Sequence, residues 1–234
     1  MKRLGNDFKN WLLDLVFPKA CLNCKKEGFW LCPDCLELLR PKLEKECPVC
    51  RKAKEDVLIC PDCQDKSFLK GLWILTDYNP LTQKIIQAVK YEFLTDLVGK
   101  LNGLTEKYFS LVPGWQKDFV LLPVPLSRKR YLERGFNQAR LLAEMASQVL
   151  ENKVVSGILQ RKVFSKPQAQ LSAKERLVNV KGNFCMTKDG INSKGEKIVL
   201  VDDVYTTGAT MQECARILKE NGFNEVWGLV LARG

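Results

Sequence analysis

At 234 residues the chain has room for one α/β domain of ordinary size and something smaller beside it. A hydrophobic content of 46% fits a globular protein, and no apolar run approaches the roughly 20 residues that span a bilayer, which argues against membrane insertion. The formal charge of +10 suits a polyanionic ligand, a phosphorylated sugar or a nucleic acid, without separating the two, and the absence of histidine leaves only sulfur or carboxylate to bind a metal.

Taken in order, Met1 to Phe17 reads as an amphipathic helix with Phe8, Trp11, Leu12 and Leu15 on or near one face. Asp7 and Asp14 interrupt its apolar part and no small-residue cleavage site follows, so it is read as a helix rather than a signal peptide, and the protein as cytoplasmic.

Eight of the ten cysteines then fall into four Cys-x-x-Cys knuckles: Cys21/Cys24, Cys32/Cys35, Cys47/Cys50 and Cys60/Cys63. A tetrahedral Zn²⁺ takes four thiolates and each knuckle presents two, so four knuckles make two sites. The short gaps favour sequential pairing, Cys21, Cys24, Cys32 and Cys35 around one ion and Cys47, Cys50, Cys60 and Cys63 around the other, although spacing alone leaves an interleaved arrangement open. A disulfide framework needs an oxidising compartment that nothing here indicates, and a redox dithiol uses one pair rather than four. Each four-thiolate site carries a net charge of −2, so two of them lower the formal +10 to about +6, still basic. So small a segment cannot bury enough apolar surface to fold alone, so both zinc ions are read as structural. Lys42, Lys45, Lys52, Lys54, Lys66 and Lys70 offer a nucleic-acid contact, but acids are interspersed and solvation is the default for such a surface.

Strand-and-helix texture begins after Ser67, which places a zinc module at residues 1–66 and a second domain at 67–234. Leu72 to Tyr78 reads as a strand, Leu81 to Tyr91 as an amphipathic helix burying Ile85, Ile86 and Val89 and ending in Lys90 and Tyr91, and Leu94 to Tyr108 as helical. Phe119 to Pro125 is the next buried strand. After it, Arg128, Lys129, Arg130 and Arg134 form the densest basic cluster in the chain, read as a loop, and Asn137 to Leu150 forms an amphipathic helix. Arginine suits bidentate phosphate contact and lysine point-charge attraction, so a basic loop at the C-terminal end of a parallel strand is read as a pyrophosphate clamp.

From Leu159 to Arg176 the chain is polar, cationic and poor in sheet signals; Ser172 with Glu175 three residues on would cap a surface helix. Asn183 to Met186 is a short strand or loop and Asp189 to Gly195 a polar turn. Ile198, Val199, Leu200 and Val201 then read as a strand buried on both faces, followed by Asp202 and Asp203, a small-residue run Thr206-Thr207-Gly208-Ala209-Thr210, and a helix from Met211 to Asn221 with Gly222 beyond it. Loop amides, a helix N-terminus and threonine hydroxyls favour a phosphate, and the adjacent acids can accept from vicinal sugar hydroxyls. Val226 to Ala232 is a last strand; Cys185 and Cys214 stand alone and read as core or near-core residues.

The run from Ile198 to Thr210 resembles the PRPP-binding signature of type I phosphoribosyltransferases. Pro123-Val124-Pro125-Leu126 and Arg134-Gly135-Phe136-Asn137-Gln138, with a cysteine-rich segment ahead, resemble the ComF-type competence branch of that family. The resemblance implies a type I phosphoribosyltransferase fold, a mainly parallel sheet flanked by helices, preceded by a small double-zinc-ribbon-like module. It further implies Asp202 and Asp203 on the ribose 2′- and 3′-hydroxyls, Thr206, Thr207, Gly208, Ala209 and Thr210 on the 5′-phosphate, Ser127, Arg128 and Lys129 on pyrophosphate with Mg²⁺, and, from its position ahead of the signature, the Leu159 to Arg176 segment as a lid that closes over the reacting centre. Thr206 stands where some purine-salvage relatives carry an acid, so the signature names no general base, and no segment reads as a base-recognising hood. Two functions follow from the resemblance: phosphoribosyl transfer to an acceptor the sequence does not name, or a PRPP-binding, single-stranded-DNA-handling adaptor of natural transformation with a helicase-like competence partner.

Overall fold

The computed structural model describes residues 19–162, 182–188 and 195–234. The expected N-terminal helix and the lid beyond residue 162, with its Ser172 cap, lie outside the described residues, as does most of the 189–195 turn.

The cysteine-rich segment comes first and is built from turns rather than from a core. It holds a one-turn helix α1 (Pro33–Leu36), a two-residue hairpin of β1 (Lys45–Glu46) and β2 (Ala53–Lys54), and a 3-10 helix at Pro61–Lys66. Pro33 and Pro61 open the two helical turns, where a fixed φ suits the first residue and no N–H is missed.

Beyond it lies a five-stranded, wholly parallel sheet of order β3-β9-β8-β4-β5: β3 (Leu72–Asp77), β9 (Val226–Arg233), β8 (Lys197–Tyr205), β4 (Phe119–Pro123) and β5 (Lys153–Val154). Strands in such a sheet are covered on both sides and therefore read as unbroken apolar runs. One face carries Trp73, Leu75, Phe119, Leu121, Val199, Val201, Leu229 and Leu231 against α2 (Pro80–Tyr91), α3 (Asp96–Gly99), α4 (Asn102–Leu111) and α6 (Gln138–Leu150). The other carries Ile74, Val120, Leu122, Ile198, Leu200 and Val230 against α7 (Ala209–Glu220) and the hairpin of β6 (Leu159–Arg161) with β7 (Phe184–Met186). Cys214 is buried in that second core, and Cys185 on β7 is half-buried and accepts from Gln160 Nε2 at 3.3 Å. No helix among the described residues is long and apolar enough to cross a membrane.

Local chemistry explains several helix ends. The Asn79 carboxamide accepts from Thr82 N and starts α2; Asn137 does the same for α6, accepting from Ala139 N while its Nδ2 donates to Val124 O at 3.0 Å. Gly222 follows α7 with a φ of 95°, a left-handed turn that costs glycine nothing.

Four expectations need correction. Leu94 to Tyr108 is helical in two pieces rather than one, α3 and α4, divided at Lys100 and Leu101. The basic loop is a short helix, α5 (Arg128–Arg134), because Ser127 caps it at one end and Gly135 closes it in the left-handed region at the other. Leu159 to Arg161, expected in the lid, is a strand paired with Phe184 to Met186, a partner too distant in sequence to signal itself locally. Finally, β8 does not stop before the acids but runs through both to Tyr205.

Candidate functional site

The site forms where β8 outlasts its neighbour. The last β4–β8 pair is Pro123 with Val201, and Val124 N donates once more to Val201 O at 2.9 Å before the chain turns off at Pro125. On the other side β9 continues, pairing Asp202 with Val230, Val204 with Ala232 and Tyr205 with Arg233. Asp202 and Asp203 therefore lie on ordered strand with one flank open.

Alternation along a strand sends these two carboxylates to opposite faces. Asp203 follows Val199 and Val201 toward α2 and α6, where it borders a small apolar cavity of about 20 Å³ with Ile85, Val89, Gln138 and Leu142. It forms a close ion pair there with Lys90 Nζ, from the last turn of α2. Asp202 follows Ile198 and Leu200 to the α7 face and borders a cleft of about 50 Å³ with Thr206, Thr207, Gly208, Ala209 and Thr210. Its Oδ1 accepts from the Asp203 amide at 2.9 Å. Burial first, and then the charge of Asp203, push its carboxyl up to about 8, against the pull of that amide and of Lys90.

The loop after Tyr205 is held by one glycine. Gly208 sits at a φ of 75° as the residue before α7, and a Cβ there would fall 2.1 Å from the Tyr205 hydroxyl oxygen, so both conformation and space require glycine. Thr207 Oγ1 accepts from Ala209 N at 3.4 Å, and Thr206 and Thr207 stand exposed at the helix N-terminus. This corner combines amide donors, hydroxyls and a carboxyl within one turn, which is donor chemistry for a phosphate beside acceptor chemistry for a hydroxyl.

A second groove of about 350 Å³ runs alongside, lined by Pro123, Pro125, Arg128, Tyr131, Arg140 and Arg161 among others. Of the three residues expected at pyrophosphate, Arg128 lines it. Ser127 is engaged as the cap of α5, its Oγ accepting from Arg130 N at 3.4 Å, and Lys129 lies on the outer side 3.9 Å from Glu133. Arg161 lines this groove; burial and then Arg130 lower it from its ordinary value, while Cys214 and then Asp202 act in the opposite sense. Sequence reasoning passed over Lys90 and Arg161. The signal for Lys90 was its spacing, four residues after Ile86, which puts a cation on the apolar stripe of α2.

The cysteines pair sequentially. The sulfurs of Cys21, Cys24, Cys32 and Cys35 lie within 4.8 Å of one another, as do those of Cys47, Cys50, Cys60 and Cys63, and either set could hold a metal ion. In the first, Cys32 N and Asn23 Nδ2 each donate to a sulfur at 3.5 Å. Burial raises Cys21 and Cys47, but backbone amides from their own and the facing knuckle outweigh it and bring each down to about 6.

The comparisons with known proteins agree with this arrangement. A family profile for the phosphoribosyl transferase domain matches residues 137–234. The chain is 38% identical over 233 residues to competence protein F of Haemophilus influenzae, covering 92% of this chain and 98% of that one. The chain belongs to the ComF family. Two other ComF relatives are the competence protein ComFC of Bacillus subtilis, 30% identical over 82% of this chain and 79% of that one, and the DNA utilization protein YhgH of Escherichia coli, 30% identical over 92% and 98%. The two four-cysteine groups and the parallel sheet thus belong to a ComF-type protein with a phosphoribosyltransferase domain.

Proposed function

We propose that this ComF protein binds PRPP at the Asp202-to-Thr210 corner and uses it in handling incoming DNA, as a phosphoribosyltransferase with Mg²⁺ and release of pyrophosphate. The observation that carries the reading is the strand-carboxyl-glycine-helix turn itself, with Asp202 opposite the amides of a twelve-residue helix. On this reading the 206–210 amides and hydroxyls hold the 5′-phosphate, Asp202 orients the ribose hydroxyls while Asp203, turned to the opposite face, anchors the strand end, and Arg128, on the helix that Ser127 caps, serves the pyrophosphate. Lys90 fixes Asp203 from behind. Mg²⁺ would arrive on the pyrophosphate oxygens, which a hard cation prefers, and would neutralise the leaving group. That fits a site in which Lys90 already pairs with Asp203. The two domains proposed, residues 1–66 and 67–234, divide the work between a zinc module and this pocket. Soft thiolate sets with amide donors aimed at sulfur suit Zn²⁺ as a structural ion in the reducing cytoplasm.

A non-catalytic adaptor that binds PRPP or single-stranded DNA and works with a helicase-like partner is the second reading. The groove of Arg128, Arg140 and Arg161 with the exposed Tyr131 ring favours it, since cations and an aromatic face suit a nucleic-acid strand. Pyrophosphate release from PRPP and Mg²⁺, screened over nucleobases and single-stranded oligonucleotides, separates the two. Release that depends on an acceptor is the expected result; PRPP binding without release on any acceptor leaves the adaptor.

A further inference from the structure

The last strand connects the second cysteine group to the 206–210 loop. Arg233, at the end of β9, is a buried cation with a side chain only 6% exposed. Its guanidinium donates to Cys47 O at 3.2 Å and Pro48 O at 3.0 Å and pairs with Glu46 at 3.3 Å, so one fork grips the backbone of the knuckle that carries Cys47 and Cys50. The same guanidinium lies 5.6 Å from the centre of the Tyr205 ring. Tyr205 is in turn the floor of the loop, its hydroxyl beneath Gly208 where no Cβ could fit. A parallel link exists through Gln212 in the first turn of α7. Its Nε2 donates to Ser67 Oγ at 2.8 Å and reaches the Tyr205 hydroxyl at 3.5 Å, and its Oε1 accepts from Phe68 N at 2.8 Å. Gly234 closes the circuit, its N donating to Tyr205 O at 3.1 Å while its O accepts from Arg51 at 3.1 Å.

We propose that Arg233 and Tyr205 are positioning residues that couple metal occupancy of the Cys47, Cys50, Cys60 and Cys63 group to the shape of the phosphate loop. The proposal rests on the reading of that loop as a PRPP phosphate site. The physical argument is one of buried polar groups. The two carbonyls that accept from Arg233 belong to a knuckle whose fold depends on its metal. Loss of the ion frees the knuckle, leaves a buried guanidinium short of acceptors, and releases the ring that supports Gly208. Simple docking of the module would need none of the Tyr205 and Gly208 contacts. Linkage makes the effect reciprocal: what metal does for phosphate binding, phosphate binding does for metal retention.

The test uses the full zinc-loaded chain, as wild type, Arg233→Met and Arg233→Lys. Lysine keeps the charge but loses the fork and the flat stack. Calorimetry with PRPP and Mg²⁺ gives affinity, and transfer of zinc to a chromophoric chelator, with and without PRPP, gives metal retention. Both variants are expected to bind PRPP about tenfold more weakly. In the wild type PRPP should slow release of one of the two zinc ions, and in the variants it should not. Should Arg233→Met fail to fold, Arg233→Lys and Tyr205→Phe carry the comparison. Unchanged affinity in Arg233→Lys overturns the coupling, and so does wild-type zinc release indifferent to bound PRPP. No PRPP binding by the wild type rejects the phosphate reading itself, and the coupling with it.

Discussion

Lys90 is the residue on which the acid pair depends most. Its ammonium and the Asp203 carboxylate are largely out of water, with side chains 20% and 10% exposed. Removing one partner of a buried pair leaves an uncompensated charge and costs about 3–5 kcal/mol; the partial access of water to Lys90 places the expected cost near the lower end, about 3 kcal/mol. Lys90→Met keeps the apolar stem that packs along α2, so the change reads the charge rather than a cavity. For a chain of this length 1 kcal/mol shifts the melting temperature by roughly 2–4 °C, so Lys90→Met should melt about 6–12 °C lower by differential scanning calorimetry. The double variant Lys90→Met/Asp203→Asn should regain most of that loss, because the stranded charge is gone. A single variant within 2 °C of wild type (on the order of 1 kcal/mol or less), or a double variant no more stable than the single, would refute the pairing as an energetic feature.

Asp202 should set a pH dependence. Its carboxyl is raised from 3.8 to about 8 in the folded chain, so its contribution to stability is full below about pH 4 and is lost as pH rises through about 8. Urea denaturation of wild type minus Asp202→Asn should therefore show a difference that falls steadily across that window, with the variant the more stable protein at pH 8; a flat difference would place Asp202 in water. For the cysteine groups, Cys21→Ser should lower the zinc content from two ions to one and the melting temperature with it, since Cys21, Cys32 and Cys35 pack in the same core as α2 and α6. Retention of both ions by elemental analysis would contradict a four-thiolate zinc site built on Cys21.

The parts of the fold legible in the sequence are those whose burial is uniform. Ile198 to Val201 and Phe119 to Leu122 read as strands covered on both sides, and Asn137 opens the helix expected from it, accepting from Ala139 N. Four knuckles with short gaps likewise limited the metal groups to two. What escaped depended on contacts between distant segments. Leu159 to Arg161 is a strand only because Phe184 to Met186 lies beside it. Cation density disguised α5, although Ser127 and Gly135 bracket it with ordinary cap residues. At the site, the motif brought the acids and the threonine loop together, but the strand's alternation separates the acids, and only tertiary packing adds Lys90 to one and Arg161 to the other. Arg233 carried no sequence signal: its value comes from the carbonyls it reaches in a segment more than 180 residues earlier.

The most direct measurement is titration calorimetry of the zinc-loaded chain with PRPP and Mg²⁺, set against the same titration of Asp202→Asn and of Gly208→Ala. Saturable one-site binding by the wild type is expected, weakened at least tenfold in both variants, because asparagine puts an NH₂ donor where one of the two carboxyl oxygens would face the ribose (a lost hydrogen bond of about 1.5 kcal/mol is a factor of ten) and alanine closes the phosphate turn. Equal binding by all three chains, or none by the wild type, would contradict a PRPP site at this corner.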